Sequence, residues 1–229
     1  MEIILTLLNP TVADCVRQFQ SFRPSIRQFQ VDIQDGKYVV SKAISLPEFQ
    51  KALALFPKQD LETATFDFHL QEIDYERDLD LLGEIKKSLP LRYVFIHASL
   101  APDYPRLKKR YAGLTLGLVF NPDDEIKTVA DRYDISSIPT IQIMTINPGP
   151  QGQAFIPQAL NKIDQLRSLD YRSKIYLDGA INEKTIDIVL MRQNKPDGLC
   201  VGSYFTRATD LKKRIRFLRE KITTAVLAA

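Results

Sequence analysis

The sequence is poor in several residue types, and each scarcity excludes a class of protein. Two cysteines, Cys15 and Cys200, cannot build a disulfide framework or a cysteine-rich metal cage, which suits a reducing compartment. Only two histidines, His69 and His97, are available for acid–base chemistry or metal binding. Nine glycines in 229 residues amount to about 4%, where roughly 7% is usual. Thirty-one Lys and Arg against 28 Asp and Glu leave a net charge of +3, too balanced for a surface that tracks nucleic acid. The opening residues, Met1-Glu2-Ile3-Ile4-Leu5, lack the basic end and small-residue cleavage site of a secretory signal. No uncharged apolar run reaches the roughly 18 residues that span a bilayer. The expectation is a soluble cytoplasmic protein with neither nucleic-acid nor membrane partners.

What is present is a rhythm. Short β-branched and aromatic runs fall at Ile3–Leu8, Phe29–Ile33, Thr65–Leu70, Tyr93–His97, Thr115–Phe120, Thr140–Ile146, Lys174–Leu177 and Leu199–Val201. Amphipathic stretches separate them, among them Ser45–Phe56, Asp74–Ser88, Ile156–Ser168, Glu183–Gln193 and a terminal helix from Asp210. Alternation of this kind reads as βα units. With no linker or composition break, residues 1–229 are expected to form one domain. Eight units in this length fit a closed (β/α)₈ TIM barrel of the α/β class. A doubly wound nucleotide fold would need a glycine-rich turn after its first strand, and that turn here reads Asn9-Pro10-Thr11.

Polar residues inside the apolar strands carry the chemistry. Alternation puts Gln30, Asp32 and Gln34 on one face of the second strand, and Asp67, His69 and Gln71 on one face of the third. The outer face of a barrel meets apolar helices, so these series point inward. Asp178 closes the seventh strand, so three ionisable groups from three strands can converge on the barrel axis. Buried carboxylates of this kind need pairing, protonation or a metal. The loop Asn147-Pro148-Gly149-Pro150-Gln151-Gly152-Gln153, with Gly179 and Gly202-Ser203 at the next two strand ends, offers turns whose amides face an anion.

In these segments the sequence resembles the ribulose-phosphate 3-epimerase family, in order and through nearly the whole chain. The family's His-x-Asp-x-Met-Asp-Gly stands as Gln30-Val31-Asp32-Ile33-Gln34-Asp35-Gly36, and its Asp-x-His-Leu-Met as Asp67-Phe68-His69-Leu70-Gln71. The most specific stretch is Met144-Thr145-Ile146-Asn147-Pro148-Gly149-Pro150-Gln151-Gly152-Gln153-Ala154-Phe155, followed by Leu177-Asp178-Gly179-Ala180 and Val201-Gly202-Ser203. The resemblance implies a ribulose-phosphate-binding barrel, a homo-oligomer (dimer or hexamer), that inverts carbon 3 of a ketopentose 5-phosphate in carbohydrate metabolism. It implies Asp32 and Asp178 as acid and base, and one divalent metal on Asp32, His69 and Asp178. Gln30 falls where the family has its fourth ligand. It also implies phosphate contacts from Gly149, Gln151, Gly152, Gly179, Ala180, Gly202 and Ser203, and a pocket lined by Thr6, Gln34, Gln71 and Met144.

The departures are Gln30 for a histidine, Gln34 and Gln71 for methionines, Gln151 and Ala180 for glycines, and Pro150 for an aromatic. An amide oxygen at position 30 moves the expected metal from zinc or iron toward manganese or magnesium, or removes it. Three readings follow: a working pentose-phosphate epimerase first, an epimerase for a ketohexose 6-phosphate next, and a non-catalytic phosphosugar-binding homologue last. His97 is expected to pack or hydrogen-bond within its strand, Asp35 to hold loop amides, Lys212–Arg216 to be a solvated helix face, and Cys200 to be buried in the last strand.

Overall fold

Each apolar run forms a strand, and each strand pairs in parallel with its neighbour in sequence. In the computed structural model, which describes residues 1–227, these are β1 (Glu2–Leu7), β2 (Gln28–Gln34), β3 (Thr65–Gln71), β4 (Leu91–His97), β5 (Leu116–Phe120), β6 (Thr140–Met144), β7 (Lys174–Asp178) and β8 (Gly198–Val201). Ala228 and Ala229, the end of the expected 1–229 span, lie outside the described residues. Pairing of β1 with β8 closes the barrel in the order β1 to β8. The expected α/β TIM barrel is the fold found.

Helices cover the outside: α1 (Val12–Phe22), α2 (Leu46–Leu53), α3 (Lys58–Leu61), α4 (Tyr75–Ile85), α5 (Tyr104–Arg110), α6 (Ile126–Arg132), α7 (Asn161–Ser168), α8 (Ile186–Leu190), α9 (Ser203–Thr206) and α10 (Leu211–Leu227). Thr11 caps α1 by accepting from the Asp14 amide at 3.1 Å, and Ser45 with Glu48 makes a capping box on α2. Two expected helices come out shorter. Pro157 opens a tight 3₁₀ turn before α7. Ahead of α8, Asn182 Oδ1 takes the Lys184 amide at 2.9 Å and Thr185 Oγ1 takes the Asn182 amide at 3.0 Å. These local bonds compete with helix.

The main core lies between strands and helices, where the outward residues of β2 and β3 pack. Phe29, Val31, Phe66 and Phe68 are fully buried there, and Phe49 meets Phe68 edge-on at 5.2 Å. A second apolar cluster, including Ile4, Phe95, Val119, Met144, Tyr176 and Cys200, fills the inside of the barrel. On α10, Ile215, Leu218 and Ile222 face the core while Lys212, Lys213 and Arg216 are exposed, as expected of a solvated basic face. Among the described residues no helix is long and apolar enough to cross a membrane.

Candidate active site

Register decides what meets at the barrel mouth. Pairing of β2 with β3 sets Asp32 beside His69 and Gln30 beside Asp67. Asp178, the last residue of β7, comes in from the other side of the β8–β1 seam. Ligand-type atoms of Asp32, His69 and Asp178 lie within 4.8 Å of one another. His69 Nδ1 is 3.3 Å from Asp32 Oδ1 and 3.4 Å from Asp178 Oδ2. All three residues are buried.

Gln30 sits beneath this trio and turns its nitrogen toward it. Its Nε2 donates to Asp178 Oδ2 at 2.7 Å and to Asp32 Oδ1 at 3.2 Å, while its Oε1 accepts from the Cys200 thiol at 3.2 Å. The amide therefore orients and spaces the two carboxylates, and its oxygen faces Cys200. Gln142, on the inward face of β6, adds a second donor to Asp178 Oδ2 at 3.0 Å.

A chain of polar contacts fixes the orientation of His69. Asn121 donates from Nδ2 to Tyr38 Oη (2.9 Å) and Ser99 Oγ (3.2 Å), which leaves its Oδ1 to accept from His97 Nδ1 at 3.0 Å. His97 thus presents a bare Nε2, 2.8 Å from His69 Nε2, which must be the donor. His69 is left with Nδ1 aimed between the carboxylates. His97 does hydrogen-bond, but across to β3 rather than within its own strand.

Charge is not balanced here: two carboxylates face one imidazole. Burial raises Asp32 to about 6 against the pull of His69. Burial opposes a charge on His69, yet the hydrogen bonds its Nδ1 donates to Asp178 and Asp32 outweigh it and lift the imidazole to about 9. Burial and the neighbouring His69 hold His97 well below its ordinary value, so it stays neutral. Asp32, His69 Nδ1 and Asp178 make an oxygen-rich donor set with net negative charge, and this fits a divalent cation. Gln30 fits as a hydrogen-bond support of that set and not as its fourth donor.

A narrow cleft opens above the trio. Thr6, Gln71 and Met144 line it together with Gly149, Gln151, Gly152, Gly179, Ala180, Gly202 and Ser203. Of the expected pocket residues Gln34 stands apart: its Nε2 donates to Gln71 Oε1 (3.3 Å) and Gly149 O (3.2 Å), tying the β6–α7 loop to β2. Thr6 Oγ1 is buried, faces the cleft and has no hydrogen-bond partner among the described residues. Ala180 takes a left-handed φ of 53°, the conformation a glycine would adopt with less strain. Asp35 accepts from the amides of Lys37, Tyr38 and Ile73 and so holds loops, as expected.

Gln142, His97 and Asn121 escaped sequence reasoning as site residues. For Gln142 the signal was there: alternation along Thr140-Ile141-Gln142-Ile143-Met144 puts an amide inside the barrel. For His97 and Asn121 it was not, because their role depends on contact between strands.

Similarity to known proteins agrees with this geometry. The Ribulose-phosphate 3 epimerase family matches residues 3–206. The chain is 25% identical over 225 residues to a ribulose-phosphate 3-epimerase of Helicobacter pylori, covering 96% of this chain and 97% of that one. To the Schizosaccharomyces pombe protein of the same name it is 27% identical over 158 residues, 69% of this chain and 66% of the relative. Among solved structures, 3-keto-L-gulonate-6-phosphate decarboxylase of Vibrio cholerae shares the fold, with a TM-score of 0.66 at 12% identity and 97% coverage of both chains. The chain belongs to the ribulose-phosphate 3-epimerase family of isomerases.

Proposed function

We propose that this family member interconverts D-ribulose 5-phosphate and D-xylulose 5-phosphate by a two-base proton transfer at carbon 3. The convergence of two carboxylates and one imidazole, within 4.8 Å at the foot of a glycine-lined cleft, carries the reading. One of Asp32 and Asp178 removes the proton alpha to the ketone, and the electron pair moves into an enediolate. The other, on the opposite face, delivers a proton to the same carbon and inverts it. After one turnover the two protonation states are exchanged, which readies the site for the reverse direction.

Position and pKa both support the roles. Burial raises the Asp32 carboxyl above its ordinary value in the metal-free site, which brings it toward proton exchange near neutral pH. Gln30 and Gln142 keep the carboxylates oriented through their amide hydrogens, and Thr6 Oγ1 is free to meet a substrate hydroxyl. Asp32, His69 Nδ1 and Asp178 would hold one divalent ion, with manganese or iron favoured over zinc by two carboxylates and a single imidazole. Such an ion supplies positive charge where the reaction builds negative charge on oxygen. The backbone amides of the three glycine-bearing loops face the substrate's phosphate.

The test is a coupled epimerase assay on the purified chain with manganese, iron, zinc or magnesium, alongside carbon-3 deuterium uptake in heavy water. Turnover that is lost in Asp32→Asn and in Asp178→Asn is expected. Binding of D-ribulose 5-phosphate with no turnover or exchange under any metal would sink the proposal.

A further inference from the structure

Two side chains near the phosphate end of the cleft have polar ends with no hydrogen-bond partner among the described residues. Gln151 stands where the family carries a glycine. Its Nε2 is buried without a hydrogen-bond partner, and it lies over Gly202, where a β-carbon would come within 2.5 Å of it. Arg207 follows α9 and is exposed, with its guanidinium laid against Gly152 on the opposing loop. A β-carbon built on Gly152 would be 3.4 Å from each of its terminal nitrogens. Among the described residues the Arg207 side chain makes no ion pair and no hydrogen bond, while its backbone amide donates to Ser203 O at 3.1 Å.

A lone exposed arginine is ordinarily a solvated charge, and a buried amide ordinarily finds an acceptor. The Gln151 amide has none, and Arg207, though exposed, is laid against Gly152, which lines the same cleft as Gln151 and Gly202. Gly152 and Gly202 leave room for the two side chains by having none of their own. A guanidinium offers a planar fork that matches two oxygens of a phosphate, and a buried amide offers donors to another. The missing acceptor for both is an anion.

We infer that Arg207 and the Gln151 side chain form a clamp for the phosphate of the substrate, added to the backbone amides of the glycine loops. The inference rests on the phosphosugar reading above and deepens it. It makes phosphate recognition in this chain partly electrostatic, and it gives the substitution of glycine by Gln151 a role as a donor instead of an obstruction.

The test titrates inorganic phosphate and, separately, D-ribulose 5-phosphate into the full chain and into Arg207→Ala, Arg207→Lys, Gln151→Gly and Gln151→Ala. Arg207→Ala is expected to raise both dissociation constants about tenfold. Arg207→Lys should recover only part of that, because an ammonium keeps the charge and loses the fork. The glutamine variants should weaken both ligands by a smaller factor. In the epimerase assay KM should rise more than kcat falls. Unchanged phosphate affinity in Arg207→Ala, or tighter phosphate in Gln151→Gly, overturns the clamp. The two readings fail separately. Weaker phosphate binding by Arg207→Ala in a chain without turnover removes the epimerase and keeps the clamp. Wild-type KM in Arg207→Ala keeps the epimerase and removes the clamp.

Discussion

The two ends of the barrel interior treat the same kind of residue in opposite ways, and β3 contributes to both. At the bottom, Asp67 is gripped by Arg92, with Nε to Oδ1 at 2.9 Å and Nη2 to Oδ2 at 2.6 Å, and the Tyr93 amide adds a third donor at 3.2 Å. Arg92 also reaches Glu2, which accepts from Tyr176 Oη at 3.2 Å. Two residues along the strand, His69 faces Asp32 and Asp178 with no arginine or lysine near. The lower layer has its charge compensated by the protein itself. The upper layer keeps an excess of negative charge and a cleft above it. A buried ion pair is a device of structure, whereas two buried carboxylates that share one imidazole keep a charge for a ligand or a proton to meet.

The sharpest way to break this contrast is to exchange the consequences. Asp32→Asn and Asp178→Asn should each cut kcat by roughly 10²- to 10⁴-fold while leaving the thermal midpoint unchanged or higher, since a repulsion is removed. Calorimetry beside the assay checks both halves, and full activity in either variant would erase the distinction. Arg92→Met should do the reverse, leaving Asp67 unpaired and costing about 3–5 kcal/mol in a denaturant melt while the folded fraction keeps its kcat. Next, manganese at a hundred times its dissociation constant should stabilise the protein by about 2.7 kcal/mol. Asp178→Asn should lose that gain and Arg92→Met should keep it; equal gains in both would place the ion elsewhere.

The smallest effect tests a third solution just beyond the same strand. Just past β3, Glu72 is buried beside Asp78, with Arg77 3.8 Å from one of its oxygens and Asp35 adding repulsion. Burial first, and then Asp78, lift Glu72 from 4.5 to about 8. Its folded form therefore keeps a proton that the unfolded chain releases. This makes stability fall as pH rises from 4.5 to about 8 and level off above that. Glu72→Gln should flatten the fall and gain roughly 1–3 kcal/mol above pH 8. Urea melts across pH measure it, and an unchanged slope would show that Arg77 already neutralises the pair.

Much of the fold was legible because burial is written into local alternation. The runs that became β2 and β3 carry phenylalanine and valine outward at every second position, and eight such units in this length, without a glycine turn after the first, fit a closed barrel. Asp32, His69 and Asp178 were legible too, since a charge inside an apolar run has to point to the barrel axis. Less legible was what each polar group does once there. Gln30 reads as a metal ligand by position, yet it spends its oxygen on Cys200 and its nitrogen on the carboxylates. His97 reads as packing or hydrogen-bonding within its strand, and it does hydrogen-bond, but across to His69, where its neutral ring sets which nitrogen of His69 faces the site.

The sequence alone determined the eight βα units, the inward polar series and the glycine-bearing loops, because these follow from side-chain periodicity and backbone freedom within a few residues. Only the tertiary structure decided which charges are compensated. Asp67 and Asp32 are equally acidic and equally inward in sequence. One meets Arg92 and the other meets a carboxylate 146 positions away, because ring closure and strand register set the neighbours across the barrel. Compensation depends on those distances, and Coulomb and desolvation energies change steeply with them.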